Sequence, residues 1–143
     1  MSENKSVTPE IRKHAIFNAT IEKVWNAVAT SEGIDSWFMP NDFKQEIGHE
    51  FTIQSPFGPT PCKVLELEPP NRLVFSWGEF GWNVTFELKD LGNKTEFTLI
   101  HSGWGAPDAL IPGPSQTNAE IRNRMNNGWE SIVHEKLRKV VEQ

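Results

Sequence analysis

The chain of 143 residues contains no tyrosine and a single cysteine, Cys62. One cysteine cannot form a disulfide within the chain, which is typical of a protein from a reducing compartment. No apolar run approaches the roughly 20 residues that a membrane-spanning helix needs. The first residues, MSENKSVTPEIRK, lack the apolar segment of a signal peptide. We therefore expect a soluble, cytoplasmic protein without a membrane span.

Positive charge is also scarce, since 14 Lys and Arg stand against 19 Asp and Glu, a net charge of −5. Such a chain repels phosphate backbones, and no basic stripe offsets this, so nucleic-acid binding is excluded. The four histidines lack the spacing of metal ligands. His134-Glu135 begins like the zinc-protease helix, but Arg138 occupies the position of the second histidine. With no glycine-rich phosphate loop either, we expect neither a metal nor a cofactor.

Aromatic side chains and two kinds of hydrophobic periodicity are what the sequence does contain. Six Trp and nine Phe occur in it. Helical spacing at residues 21–28, 31–38 and 117–141 flanks a region of period-two alternation, residues 51–101. A strand at residues 11–19 precedes the helices. An antiparallel sheet with one apolar face needs a cover, which the C-terminal helix can supply. We expect an α+β fold with one domain, residues 11–143, after a loose segment, residues 1–10.

The clearest alternation predicts which strand residues face the core. The expected inward positions are Leu73, Phe75, Trp77, Trp82, Val84, Phe86, Leu88, Thr95, Phe97, Leu99 and His101. Thr117 and Glu120 have the spacing of a capping box, which predicts the start of the last helix. Residues 102–116, rich in glycine and proline, are expected to form a loop.

Five segments carry a family resemblance: IEKVWNAVAT, GIDSWFMPNDF, CKVLELEPPNRLVFSW, VTFELKDLGNKTEFTLIHSGW and NGWESIV. Together they resemble the SRPBCC (START-like) superfamily, and more closely its branch related to the C-terminal domain of the Hsp90 ATPase activator, with proteins of Bacillus most similar. The resemblance covers residues 11–141. It implies a helix-grip fold, as in START domains and the birch pollen allergen. In that fold a curved antiparallel sheet of about seven strands surrounds a long C-terminal helix, with two short helices after the first strand.

The resemblance also implies functions. Members of the superfamily commonly hold hydrophobic small molecules between the sheet and the helix, and relatives include lipid carriers and polyketide cyclases. The activator branch implies a chaperone partner and a role in the stress response.

The aromatic residues at strand ends and loop tips are the candidate ligand-binding residues. Rigid rings with an adaptable methionine suit a flat aromatic ligand, although such rings are also ordinary core residues. The candidates are Trp37, Phe38, Phe57, Trp77, Trp82, His101, Trp104, Met125 and Trp129.

His101 is the candidate with polar chemistry. Ser102 follows it directly, and consecutive strand residues point to opposite faces, so the two do not form a nucleophile and base pair. His101 is then either a core histidine bonded to backbone or water, or a polar anchor for a ligand hydroxyl or carbonyl.

The sequence favours a monomer that binds a hydrophobic, aromatic small molecule, such as a polyketide, a flavonoid-like compound or a lipid. The alternatives are a module that interacts with a chaperone of the Hsp90 type and an enzyme of the cyclase or hydrolase type. The enzyme is disfavoured because acid–base chemistry needs a second group beside His101, and we identify none.

Overall fold

The computed structural model describes residues 10–55, 58–78, 81–104, 110–111 and 116–142. The order of the elements is a strand, two short helices, a run of strands and a C-terminal helix, as the sequence predicted. They are β1 (Ile11–Phe17), α1 (Ile21–Val28), α2 (Ser31–Trp37), β2 (Glu50–Ser55), β3 (Gly58–Glu68), β4 (Arg72–Trp77), β5 (Trp82–Asp90), β6 (Thr95–Ser102), β7 (Leu110–Ile111), β8 (Gln116–Thr117), α3 (Asn118–Ser131), a π-helical segment (Ile132–Leu137) and α4 (Arg138–Val141).

Among the described residues, the main sheet has six antiparallel strands in the order β1-β6-β5-β4-β3-β2, one fewer than the helix-grip resemblance implied. β2 to β6 form a meander, and β1 returns beside β6, so β1 and β2 are the two edges. Within the region predicted to be a loop, Leu110–Ile111 pairs with Gln116–Thr117 in a separate two-stranded ladder. These two strands of the described chain pair with each other instead of extending the main sheet.

The inner face of the sheet follows the predicted alternation. In β6, Thr95, Phe97, Leu99 and His101 are all fully buried and alternate with more exposed residues. The predicted inward residues of β4 and β5 are buried as well. Period-two spacing was therefore sufficient to place this face of the sheet.

β3 departs from simple alternation. Its pairing with β4 shifts between Val64 and Glu66, so Leu65 is an extra residue. The bulge leaves Leu65 exposed, while Val64 is buried and Leu67 packs against the core. Val64 and Leu67 are three positions apart and would lie on opposite faces of a regular strand, but the bulge brings both to the inner face.

Threonine side chains cap the two short helices. Thr20 accepts a hydrogen bond from the backbone of Lys23, and Thr30 accepts one from Gly33. The indole N–H of Trp37 donates to the carbonyl oxygen of Ala27 over 2.7 Å, which joins α2 to α1. This fixes the position from which Phe38, directly after α2, reaches the core.

The C-terminal helix begins at the predicted capping box of Thr117 and Glu120. Its inward residues recur every four positions: Ile121, Met125, Trp129, Val133, Leu137 and Val141. Four residues of α-helix turn by about 400°, so a four-residue stripe drifts by about 40° at each step. The wider π-helical turn of residues 132–137 counteracts that drift. The whole stripe therefore stays directed towards the core.

Candidate functional site

Six of the candidate residues meet where the sheet faces α3, and we call them the aromatic cluster: Phe38, Trp77, Trp82, His101, Trp104 and Trp129. Trp77 ends β4 and Trp82 begins β5, and the register pairs them directly across the turn. His101 stands opposite Val84 on the next strand. The cluster is thus built from strand ends and one helix.

Gly103 brings Trp104 into the cluster. Its φ is +90°, and a Cβ at this position would lie 2.2 Å from the carbonyl oxygen of Gly81. A glycine is therefore needed for the chain after β6 to pass against the start of β5. As a result, the rings of Trp104 and Trp82 lie 4.4 Å apart, centroid to centroid.

Four tryptophans surround the imidazole of His101. The ring of Trp104 is 4.6 Å from it and that of Trp82 is 5.4 Å away. Trp77 and Trp129 follow at 6.0 and 6.3 Å. His101 itself is fully buried, so its surroundings are aromatic on several sides.

The polar atoms of the cluster are connected. The indole N–H of Trp104 donates to the backbone oxygen of His101 over 3.0 Å. The indole N–H of Trp129 donates to Nδ1 of the imidazole over 3.1 Å. An Nδ1 that accepts carries no hydrogen, so the neutral ring has its hydrogen on Nε2. Nε2 is buried and has no hydrogen-bond partner in the described part of the chain.

Burial among these rings lowers the pKa of His101 from its ordinary value of 6.5 to about 3. Desolvation of the charged form is the cause. The imidazole is therefore neutral at neutral pH, and with so low a pKa it is a weak general base there. The cluster is an apolar, aromatic environment that contains one polar donor without a partner among the described residues, Nε2–H of His101.

Phe38 forms the outer part of the cluster and is only half-buried. Its ring stacks on Trp129 at 5.2 Å and on Trp37 at 5.3 Å, and it lies 5.5 Å from Trp77. The four tryptophans around His101 are almost fully buried. Phe38 is therefore the most exposed ring of the cluster, and it covers part of Trp77 and Trp129.

The remaining candidates lie around or outside the cluster. Trp37 adjoins it through Phe38, and the partly buried Met125 packs against the core one helical turn before Trp129. Phe57 lies outside the described residues. As predicted, the alternation of β6 places Ser102 on the face opposite His101.

A second group of rings, which the sequence analysis did not separate from the first, is entirely apolar. It runs from edge to edge of the sheet in steps of 5.2 to 5.8 Å, through Phe43, Phe51, Phe75, Phe86, Phe97 and Phe17. This phenylalanine row is ordinary core packing. The ring nitrogens on the inner face of the sheet lie instead in the aromatic cluster.

The hydrogen bond between Trp129 and His101 was also missed. Periodicity places both residues on inward faces, but it does not give the height at which a helix lies on a sheet. That height depends on the packing of the whole C-terminal stripe.

Other titratable groups of the described chain do not form a second centre. No group of three or more His, Cys, Asp or Glu residues there could hold a metal ion. Burial raises the pKa of the Cys62 thiol to about 12, so it stays protonated. A groove of about 380 Å³ on the other face of the sheet is lined by charged residues, and its Arg72 is paired with Glu66 and Glu87.

Among the helices that the structure describes, none is both long enough and apolar enough to cross a membrane.

A curved antiparallel sheet that holds a long C-terminal helix, with two short helices after β1, defines an α+β protein of the helix-grip type. Residues 18–142 match the family described as activator of Hsp90 ATPase homolog 1-like protein. The chain belongs to this family, which confirms the resemblance seen in the sequence.

Solved structures agree with this assignment. The solution structure of Bacillus halodurans protein BH1534 is 50% identical, with a TM-score of 0.89, over 96% of this chain and 99% of that one. Protein MLL2253 from Mesorhizobium loti is 26% identical, with a TM-score of 0.78, over 92% and 96%. The Aha1 dimer from Colwellia psychrerythraea, 18% identical over 94% and 97% with a TM-score of 0.76, shares the fold. No curated protein sequence matches significantly.

Proposed function

We propose that this protein binds a hydrophobic, aromatic small molecule between the sheet and the C-terminal helix, at the aromatic cluster. The observation that carries the proposal is His101, a neutral, fully buried histidine among four tryptophans, with an Nε2–H that has no partner in the described chain. Polyketides, flavonoid-like compounds and lipids are the candidate ligand classes.

The composition of the cluster supports this function. Small-molecule sites are mostly apolar and aromatic, with a few polar groups that fix the orientation of the ligand. The faces of the tryptophans offer stacking surfaces, and burial of apolar area contributes about 25 cal/mol per Å² before the cost of association. The phenylalanine row lacks any such polar group.

The position of Phe38 supports a route into the cluster. Its half-buried ring stacks on Trp129 and contacts Trp77 from the solvent side. A flat ligand that displaces this ring retains stacking on Trp129 and reaches the neighbourhood of His101. The family supports the proposal in general terms, because SRPBCC proteins often bind hydrophobic ligands.

Intrinsic fluorescence tests the proposal. The chain has six Trp and no Tyr, so the signal is entirely from tryptophan. Titration with flavonoids, polyketides and fatty acids should give a saturable change for one class. Trp129→Phe should weaken that binding, whereas Trp25→Phe, a buried tryptophan of α1 outside the cluster, should leave it unchanged. A flat response to every compound contradicts the proposal.

A module that interacts with a chaperone of the Hsp90 type is the second candidate, and the family match over residues 18–142 favours it. It predicts that purified Hsp90 binds the protein and that mutations in the aromatic cluster leave the affinity unchanged as long as the fold is intact. Binding of Hsp90 together with no response to the ligand panel would favour this second function over the first.

A further inference from the structure

We infer that His101 selects a neutral hydrogen-bond acceptor on the ligand, such as the carbonyl oxygen of a flat aromatic ketone, through its Nε2–H. This inference rests on the proposed function and specifies the ligand chemistry of the same site.

The tautomer of His101 decides between donor and acceptor. An indole nitrogen can only donate a hydrogen bond, so Nδ1 of His101 must accept the one from Trp129. The hydrogen of the neutral imidazole is then on Nε2. The sequence left a carbonyl and a hydroxyl open as the ligand group. A carbonyl oxygen only accepts, which matches Nε2–H. A hydroxyl can also accept through its oxygen, but its own hydrogen finds no acceptor at Nε2–H.

The burial of Nε2 gives this donor its selectivity. A buried polar group nearly always has a partner, and here a ligand with an acceptor gains a hydrogen bond that a ligand without one does not. Nδ1, the other polar atom of the imidazole, already accepts from the indole of Trp129. Nε2–H is therefore the polar group of the imidazole that remains for a ligand.

The same burial favours a neutral ligand. The rings that keep the imidazole uncharged, with a pKa of about 3, also disfavour a charged carboxylate beside it, because both ions lose hydration there. An aromatic ketone, quinone or lactone offers an acceptor and carries no charge. The ionised head group of a fatty acid offers an acceptor but is charged.

Three compounds of nearly the same three-ring outline test the inference: 9-fluorenone, fluorene and carbazole. Fluorenone presents an acceptor oxygen, fluorene has no polar group, and carbazole has only an N–H donor. We expect fluorenone to bind at least about tenfold more tightly than the other two, the value of one hydrogen bond to a buried donor. Affinities come from nitrogen–proton NMR titration of the tryptophan indole signals.

The imidazole signals provide a direct readout. In the free protein, long-range nitrogen–proton spectra should show the hydrogen of His101 on Nε2, and fluorenone should shift that proton downfield. His101→Phe should abolish the preference for fluorenone and retain fluorene binding. If that variant does not fold, Trp129→Phe serves instead, since it frees Nδ1 and should reduce the preference. Trp25→Phe is the matched control and should keep it.

Each other outcome overturns the inference in a recognisable way. Equal affinity for the three compounds, with shifts in the cluster, overturns it and leaves the proposed function standing. A hydrogen on Nδ1, or a water retained on Nε2–H at saturation with fluorenone, does the same. Absence of binding by all three compounds overturns the inference, and a flat ligand panel would then overturn the proposed function as well.

Discussion

At the scale of single residues, the imidazole of His101 couples the stability of the fold to pH. Its pKa is lowered from 6.5 to about 3 by burial. Between these values the unfolded chain binds a proton at this residue and the folded chain does not. The free energy of unfolding therefore decreases as the pH falls from about 6.5 towards 3, by up to about 1.4 kcal/mol per pH unit for this group.

The variant His101→Phe should lack this dependence. Between pH 7 and pH 5, wild type should lose up to about 2 kcal/mol of stability more than the variant does. Urea unfolding at both pH values measures this difference. Because the substitution also changes packing, the comparison uses only the slope of unfolding free energy against pH in each protein. His14, His49 and His134 are present in both proteins, so their contributions to the pH dependence cancel in the comparison. Parallel slopes would mean that His101 is protonated in the folded state.

The inward position of His101 could be predicted from the sequence, and its chemistry could not. Alternation with Phe97 and Leu99 is a local property of β6, and it holds in the structure. The tautomer depends on Trp129, which is 28 residues away in the chain. The strand and the helix have different periodicities, and neither pattern shows which residue of one element contacts which residue of the other.

At the scale of elements, two helical glycines with opposite surroundings allow a matched comparison. A Cβ at Gly33 in α2 would lie 2.1 Å from the backbone oxygen of Asn26, since α2 starts directly against the end of α1. A Cβ at Gly128 in α3 would have no atom within 4 Å. The described part of the sheet therefore does not pass close to Gly128.

The substitution Gly128→Ala should stabilise the protein by about 1 kcal/mol, because alanine has the better helix propensity and meets no obstacle. Gly33→Ala should destabilise it by more than that, because backbone atoms must move. Thermal unfolding followed by circular dichroism measures both. A loss of stability in Gly128→Ala would contradict the open space beside this helix.

The elements themselves were largely predictable, since caps and periodicity are local. Thr117 and Glu120 form the predicted capping box at the start of α3. The bulge at Leu65 and the π-helical segment were not predicted, because each adjusts one element to its neighbours. A four-residue repeat kept from Ile121 to Val141 is the signal that could have indicated the π-helical turn.

At the scale of the whole molecule, the C-terminal helix does more than cover the sheet, because it also closes the edge formed by β1. Arg122 donates to the backbone oxygen of Glu10, and Lys13 pairs with Glu130. These contacts satisfy or shield groups of an edge strand that would otherwise be available for pairing with another chain. Together with the packing of the C-terminal stripe, they hold the helix, and with it Trp129, in place beside the sheet.

Arg138 makes a third contact with this edge and provides the test. It donates to the backbone oxygen of Ile16, pairs with Glu142 and lies 5.1 Å from the ring of Phe17. Arg138→Ala should cost about 1–2 kcal/mol in unfolding free energy, from the hydrogen bond and the cation–π contact together. Arg12→Ala, which removes an exposed pair, should cost at most about 0.5 kcal/mol. Equal losses in chemical denaturation would show that the helix does not depend on the β1 edge for its position.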